Sequence, residues 1–213
     1  AKNSGTPRRV DSKLWLFDCL SCDKCIAVCP NDANFAITTP EVEAFQLSDL
    51  VVGGDGRLTR EPAGTFALRE NVQIANFADA CNECGNCDIF CPEWGGPYKL
   101  KPRFFSSAVS YQAAHHQDGF VVTPGRMVGR IDGVEHTLTV DEEGTRFGDG
   151  TISVTIGSDG TFGAVEVAAG AVPGHRLKLW NYHAMRTLYD GLWKSSNFVS
   201  VVKLPVAASE TAG

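Results

Sequence analysis

Eight cysteines fall into two copies of one pattern, Cys19-x-x-Cys22-x-x-Cys25-x-x-x-Cys29-Pro30 and Cys81-x-x-Cys84-x-x-Cys87-x-x-x-Cys91-Pro92, and none is left over. Three thiolates at intervals of three residues suit three corners of an iron–sulfur cubane, whereas the fourth, one residue further on and followed by proline, points to a neighbouring cluster. The pattern therefore predicts two [4Fe–4S] clusters with exchanged ligands. Cys19, Cys22, Cys25 and Cys91 hold the first, and Cys81, Cys84, Cys87 and Cys29 hold the second. Zinc sites separate their Cys/His pairs by longer stretches, and a chain of this length needs no disulfide framework to bury a core. Both sets are complete, which argues against an iron left open for substrate.

The spacers tune the expectation. Gly85 lets the backbone approach inorganic sulfide closely, whereas the first run offers Lys24, so the two sites are not equivalent. Ile26, Val28, Ile89 and Phe90 fall between third and fourth ligands, and Trp15, Phe17, Trp94 and Tyr98 flank the runs; all read as apolar shielding. Lys99, Lys101 and Arg103 read as a solvated basic loop. The five histidines lack ligand spacing, and no Gly-x-Gly-x-x-Gly, Walker or nucleophile-elbow motif occurs. No catalytic residue is assigned, and the chain is not expected to be an enzyme on its own.

With each run lending its last cysteine to the other site, residues 30–80 are an insertion within one unit. Phe45–Val52 and Phe66–Leu68 around Gly53-Gly54-Asp55-Gly56 predict a β-hairpin, and Asn71–Ala80 a short helix or turn feeding Cys81. Beyond residue 105 the texture changes. Period-2 alternation over Val134–Val140 and Ile152–Ile156, punctuated by Asp-Gly pairs, predicts an antiparallel meander. Residues 175–193 shift to helical period, and Phe198–Leu204 reads as a strand before a frayed tail. The expected fold class is α+β: a bacterial-type 2[4Fe–4S] ferredoxin core over 1–105 with a β-rich insertion at 35–70, then a small antiparallel β domain over 106–213 with a C-terminal helix near 175–193.

The formal charge of −6 shows no basic stripe for nucleic acid, and no stretch reaches the roughly 18 apolar residues of a membrane helix. Arg8-Arg9 leads into the first cysteine run and not into an apolar segment, so it reads as a basic arm and the expected location is cytoplasmic.

Two stretches, CDKCIAVCPNDANF at 22–35 and QIANFADACNECGNCDIFCPEWGGPYKLKPRFF at 73–105, carry a more specific likeness. They resemble the C-terminal iron–sulfur region of the flavoprotein family assigned as selenate reductases, large NADPH-type oxidoreductases related to the glutamate synthase small chain and to dihydropyrimidine dehydrogenase. The likeness covers about residues 10–105. It implies an electron-transfer subunit or domain that passes single electrons through the two clusters, between a flavin- and NAD(P)H-linked oxidoreductase partner and a catalytic partner. The cysteines carry over one by one; no flavin- or nucleotide-binding residue does. The alternative from another class is a redox-sensing or structural iron–sulfur protein with a β-rich interaction module.

Overall fold

The computed structural model describes residue 5 and residues 7–194. The expected strand at Phe198–Leu204 lies outside them. The first cysteine run contains one helical turn, α1 (Lys24–Ala27), followed by β1 (Asn34–Thr38), a long hairpin of β2 (Val42–Val52) and β3 (Leu58–Leu68), and β4 (Val72–Phe77). A 3₁₀ turn at Ala78–Ala80 leads into the second run, which contains α2 (Asn86–Phe90), and α3 (Pro97–Leu100), β5 (Arg103–Phe105) and α4 (Ala108–Ala113) follow. Then come β6 (Gly119–Thr123), β7 (Arg126–Ile131), β8 (Val134–Val140), β9 (Gly144–Gly148), β10 (Ile152–Gly157), β11 (Phe162–Val167), the two-residue β12 (Arg176–Leu177) and α5 (Leu179–Lys194).

The twelve strands form two sheets, nine in the order β1-β4-β5-β6-β7-β8-β9-β10-β11 and three as the hairpin β2-β3 beside β12. This overturns the expected α+β class with a ferredoxin core. The molecule is mostly β, and α5 is its single long helix among the described residues. The cysteine runs need only one helical turn each, and the strands beside them belong to the same sheet as the C-terminal meander. The join is made by parallel pairing, β4 with β5 and β5 with β6. Parallel strands buried on both faces show no alternation. Gln73, Ile74, Ala75 and Asn76 of β4 are all at most 1% exposed, which is why this stretch reads as a helix or turn in the sequence and is a strand in the fold.

Where one face is solvated, the sequence pattern and the structure agree element by element. The hairpin β2–β3 turns through the predicted glycine-rich segment, and Gly56 adopts a positive φ of 77°. Asp132 and Gly133, with φ of 52° and 74°, form the two-residue connection of β7 and β8, the geometry an Asp-Gly turn favours. Helix α5 lies between the two sheets, touching β2 and β3 of the smaller one and β1, β7 and β8 of the larger. Its Ala184, Met185 and Leu188 are fully buried and join Phe17, Phe66, Phe104, Leu138 and Phe147 in one core.

Leu138 on β8 is central to that core and 0% exposed, whereas Val109 on α4 is 80% exposed. Leu138→Ala should lower unfolding stability by about 2–5 kcal/mol in a denaturant titration, and Val109→Ala should change it by no more than about 0.5 kcal/mol. Equal effects would mean that α5 and β8 do not share a core.

Candidate metal centre

The two cysteine runs are built alike. Ser21 and Glu83 occupy the same place in the first spacer, with φ of 44° and 54°; Asp23 and Gly85 open the second, with φ of 55° and 79°. Left-handed residues in such turns direct successive backbone amides toward one side, the arrangement that cradles anions and iron–sulfur groups. Gly85 takes this conformation without cost, while Asp23 tolerates it less readily. Each spacer then enters its helical turn, α1 after Asp23 and α2 after Gly85, and the two turns pack together.

The antiparallel pairing of β1 with β4 sets the runs side by side, with Asn34 opposite Asn76. Phe77 N–H donates to the carbonyl of Ala33, 2.7 Å away, and Asn76 Nδ2 donates to Asn34 Oδ1 at 2.9 Å. Asn34 Nδ2 in turn donates to the carbonyl of Cys25 at 2.9 Å. On the other side Asp18 and Gln73 fix the approach to Cys19. Gln73 Oε1 accepts from the Asp18 amide at 2.8 Å, and the Asp18 carboxylate accepts from the Arg69 and Glu70 amides and from Gln73 Nε2. The N-terminal arm runs along the end of the second run, where Val10 and Leu14 N–H donate to the carbonyls of Pro92 and Trp94. Arg9 donates to the carbonyls of Cys91 and Glu93 and lies over the Trp94 ring.

These constraints produce two thiol-lined cavities. Cys19, Cys22, Cys25 and Cys91 line the first, with Leu14, Ile74, Glu93 and Lys101. Cys29, Cys81, Cys84 and Cys87 line the second, with Asn34, Glu83, Gly85 and Tyr98. Each thus holds three cysteines of one run and the last cysteine of the other. Ile74 packs against both Cys25 and Cys87 and stands between them.

All eight cysteines are free thiols. Burial pushes the Cys25 thiol up to about 12, with further repulsion from Cys19, Cys22, Cys87 and Cys91. Burial likewise raises Cys87 and Cys91, partly opposed by backbone hydrogen bonds from Tyr98 and Glu93 respectively. Such thiols are poor nucleophiles, and thiolates gathered in this way require a cation among them. Among the described residues no three His, Cys, Asp or Glu side chains converge as a single metal ion requires. Zinc needs its sulfurs about 2.3 Å from one point. A four-iron cluster instead takes each thiolate on a different iron, so its donors surround a cage. The donor chemistry, four thiols around each cavity, fits that group.

The flanking residues divide. Ile26 packs at the cavities and Tyr98 lines the second, but Ile89 is 53% exposed and Trp94 is 54% exposed, so neither shields as the sequence suggests. Phe17 is buried in the main core against Phe66 and Trp180. Of the supposed solvated basic loop, Lys101 is 2% and Arg103 7% exposed. Arg103 pairs with Glu83 at 3.2 Å. The sequence signal for their burial is slight: Pro102 follows Lys101, and Phe104 and Phe105 follow Arg103 in β5.

No family model matches the chain, and no solved structure does. The chain is homologous to proteins carrying an oxidoreductase name. Over 123 residues, 58% of this chain, it is 32% identical to "Putative oxidoreductase YgfK" of Escherichia coli O157:H7, and 31% identical to the protein of the same name in Escherichia coli strain K12. The matched stretch spans 9% of those relatives' length. Among the described residues no helix is long and apolar enough to cross a membrane.

Exposure and burial rank the thiols. In the folded, metal-free chain at neutral pH, iodoacetamide should label exposed Cys22 and Cys84 first, and Cys25 about 100-fold more slowly or less. Peptide mass mapping over time reads this order, and early labelling of Cys25 would contradict the burial described.

Proposed function

We propose that the chain is an electron-transfer subunit or domain of a multi-component oxidoreductase, holding two [4Fe–4S] clusters. The observation that carries this reading is the exchange of Cys29 and Cys91, which gives each cavity four thiols and no histidine. Homology to proteins named as oxidoreductases supports the redox role. When bound, each cluster supplies a one-electron couple.

The protein's own residues account for the rest of such a role. Cys19, Cys22, Cys25 and Cys91 would bind the first cluster, and Cys81, Cys84, Cys87 and Cys29 the second. Leu14, Ile74 and Tyr98 exclude water from the cavities, while exposed Cys22 and Cys84 bring one edge of each to the surface, within reach of a partner. The Ala33 amide donates to Cys29 Sγ at 3.2 Å, a bond that steadies a thiolate there. With every cavity cysteine committed as a ligand, none remains as a nucleophile, and the chain acts as a conduit without a catalytic site of its own.

Partners follow from electron counting. Nicotinamide delivers hydride, whereas clusters take single electrons, so a flavin must stand between them. The donor is then a flavoprotein linked to NAD(P)H, and the acceptor a catalytic subunit. Purified anaerobically and free of flavin, the chain should be bleached by dithionite but not by NADPH in stopped-flow absorbance, and adding the flavoprotein partner should confer reduction by NADPH. Bleaching of the isolated chain by NADPH alone would contradict the conduit reading.

A further inference from the structure

A buried ammonium without a partner is among the costliest groups a fold can carry, since desolvation of a charge is offset only by opposite charge or good hydrogen bonds. Lys101 is such a group. Its side chain is 2% exposed, and Nζ has no hydrogen-bond partner among the described residues. It lines the first thiol cavity together with Cys19, Cys22, Cys25 and Cys91. Burial lowers its affinity for a proton, opposed by the negative charges of Cys19, Glu93, Cys25 and Asp18.

The nearby carboxylates are already engaged. Glu93 accepts from Ser12 Oγ at 2.9 Å and from the Leu20 amide at 3.3 Å, and Asp18 is held by the Arg69 and Glu70 amides and Gln73. Two other cations at this end are engaged elsewhere, Arg9 with backbone carbonyls and Asp88, and Lys24 with the Gly5 carbonyl. What remains to face Lys101 is the cavity itself. No lysine or arginine lines the second cavity.

Resting on the cluster reading above, we propose that Lys101 is the counter-ion of the first cluster: its ammonium offsets the net negative charge of a thiolate-ligated cubane and raises the potential of that cluster alone. A cluster with four thiolates is anionic in both redox states and more so when reduced, so a fixed cation nearby favours the reduced form. Lys101 is a positioning charge and not a ligand. It touches the cavity wall without being needed to complete the four-sulfur set.

The test is an EPR-monitored redox titration of the anaerobic full chain with Lys101→Met and Lys101→Arg, after iron and acid-labile sulfide have been measured in each. Cys29→Ala identifies the signal of the second cluster. With iron content equal to wild type, Lys101→Met should shift the first couple negative by at least tenfold in its equilibrium, 59 mV for one electron, and leave the second unmoved. Lys101→Arg should stay near wild type. An unmoved first couple in a fully loaded Lys101→Met chain, or equal shifts in both couples, overturns the proposal while leaving the cluster reading intact. Should Lys101→Met not load its first cavity, Lys101→Gln and Lys101→Arg decide: loading by the arginine variant alone supports the charge, and loading with an unshifted couple by the glutamine variant overturns it. A wild-type chain devoid of iron and sulfide overturns the cluster reading, and this proposal with it.

Discussion

Each cysteine run supplies three walls of one cavity and the fourth wall of the other, so neither site can form unless both runs are in place. The pairing of β1 with β4 meets that demand, because it sets residues just after Cys29 against residues just before Cys81. The chain between them, the β2–β3 hairpin, is free to pack elsewhere and does so, forming with β12 the sheet that covers one side of α5. Local geometry at the cysteines is thereby tied to the main core. Phe35 and Ile37 of β1 belong to the same packed set as Phe147 of β9 and Leu188 of α5.

The electrostatics run against the packing at this one place. Burying Cys25 and Cys87 near other thiols makes their ionised forms unfavourable, and burying Lys101 beside them makes its charge unfavourable as well. Unlike charges buried near one another reduce each other's cost, and a multivalent metal group held by the thiols would change the balance for all of them. Local rules are broken here at several points together: left-handed Ser21, Asp23 and Glu83, an unpartnered ammonium, and repelling thiols. Such concentrated exceptions mark sites kept for function, where the rest of the fold compensates.

The eight cysteines and their arrangement in two like runs were legible in the sequence alone, because that spacing carries its own geometry. The Asp132-Gly133 turn, the glycine-rich hairpin and most of α5 were legible for the same kind of reason: a two-fold or helical period survives wherever one face meets water. The fold class was not. Strand β4 is buried on both faces, β5 is only three residues long, and their parallel pairing through β6 turns an expected separate core into one end of a nine-stranded sheet. Nor was Lys101, since a lysine between Lys99 and Arg103 reads as solvated until tertiary packing places it on the cavity wall. The Asp18–Gln73 link joins residues far apart in sequence, and such contacts leave no local trace.

The proposed role requires that the two thiol cavities hold four-iron clusters. Iron and acid-labile sulfide, measured with zinc on the same anaerobically prepared chain, test it most directly. The expected result is about eight iron and eight sulfide per chain. Stoichiometric zinc with no labile sulfide would contradict it.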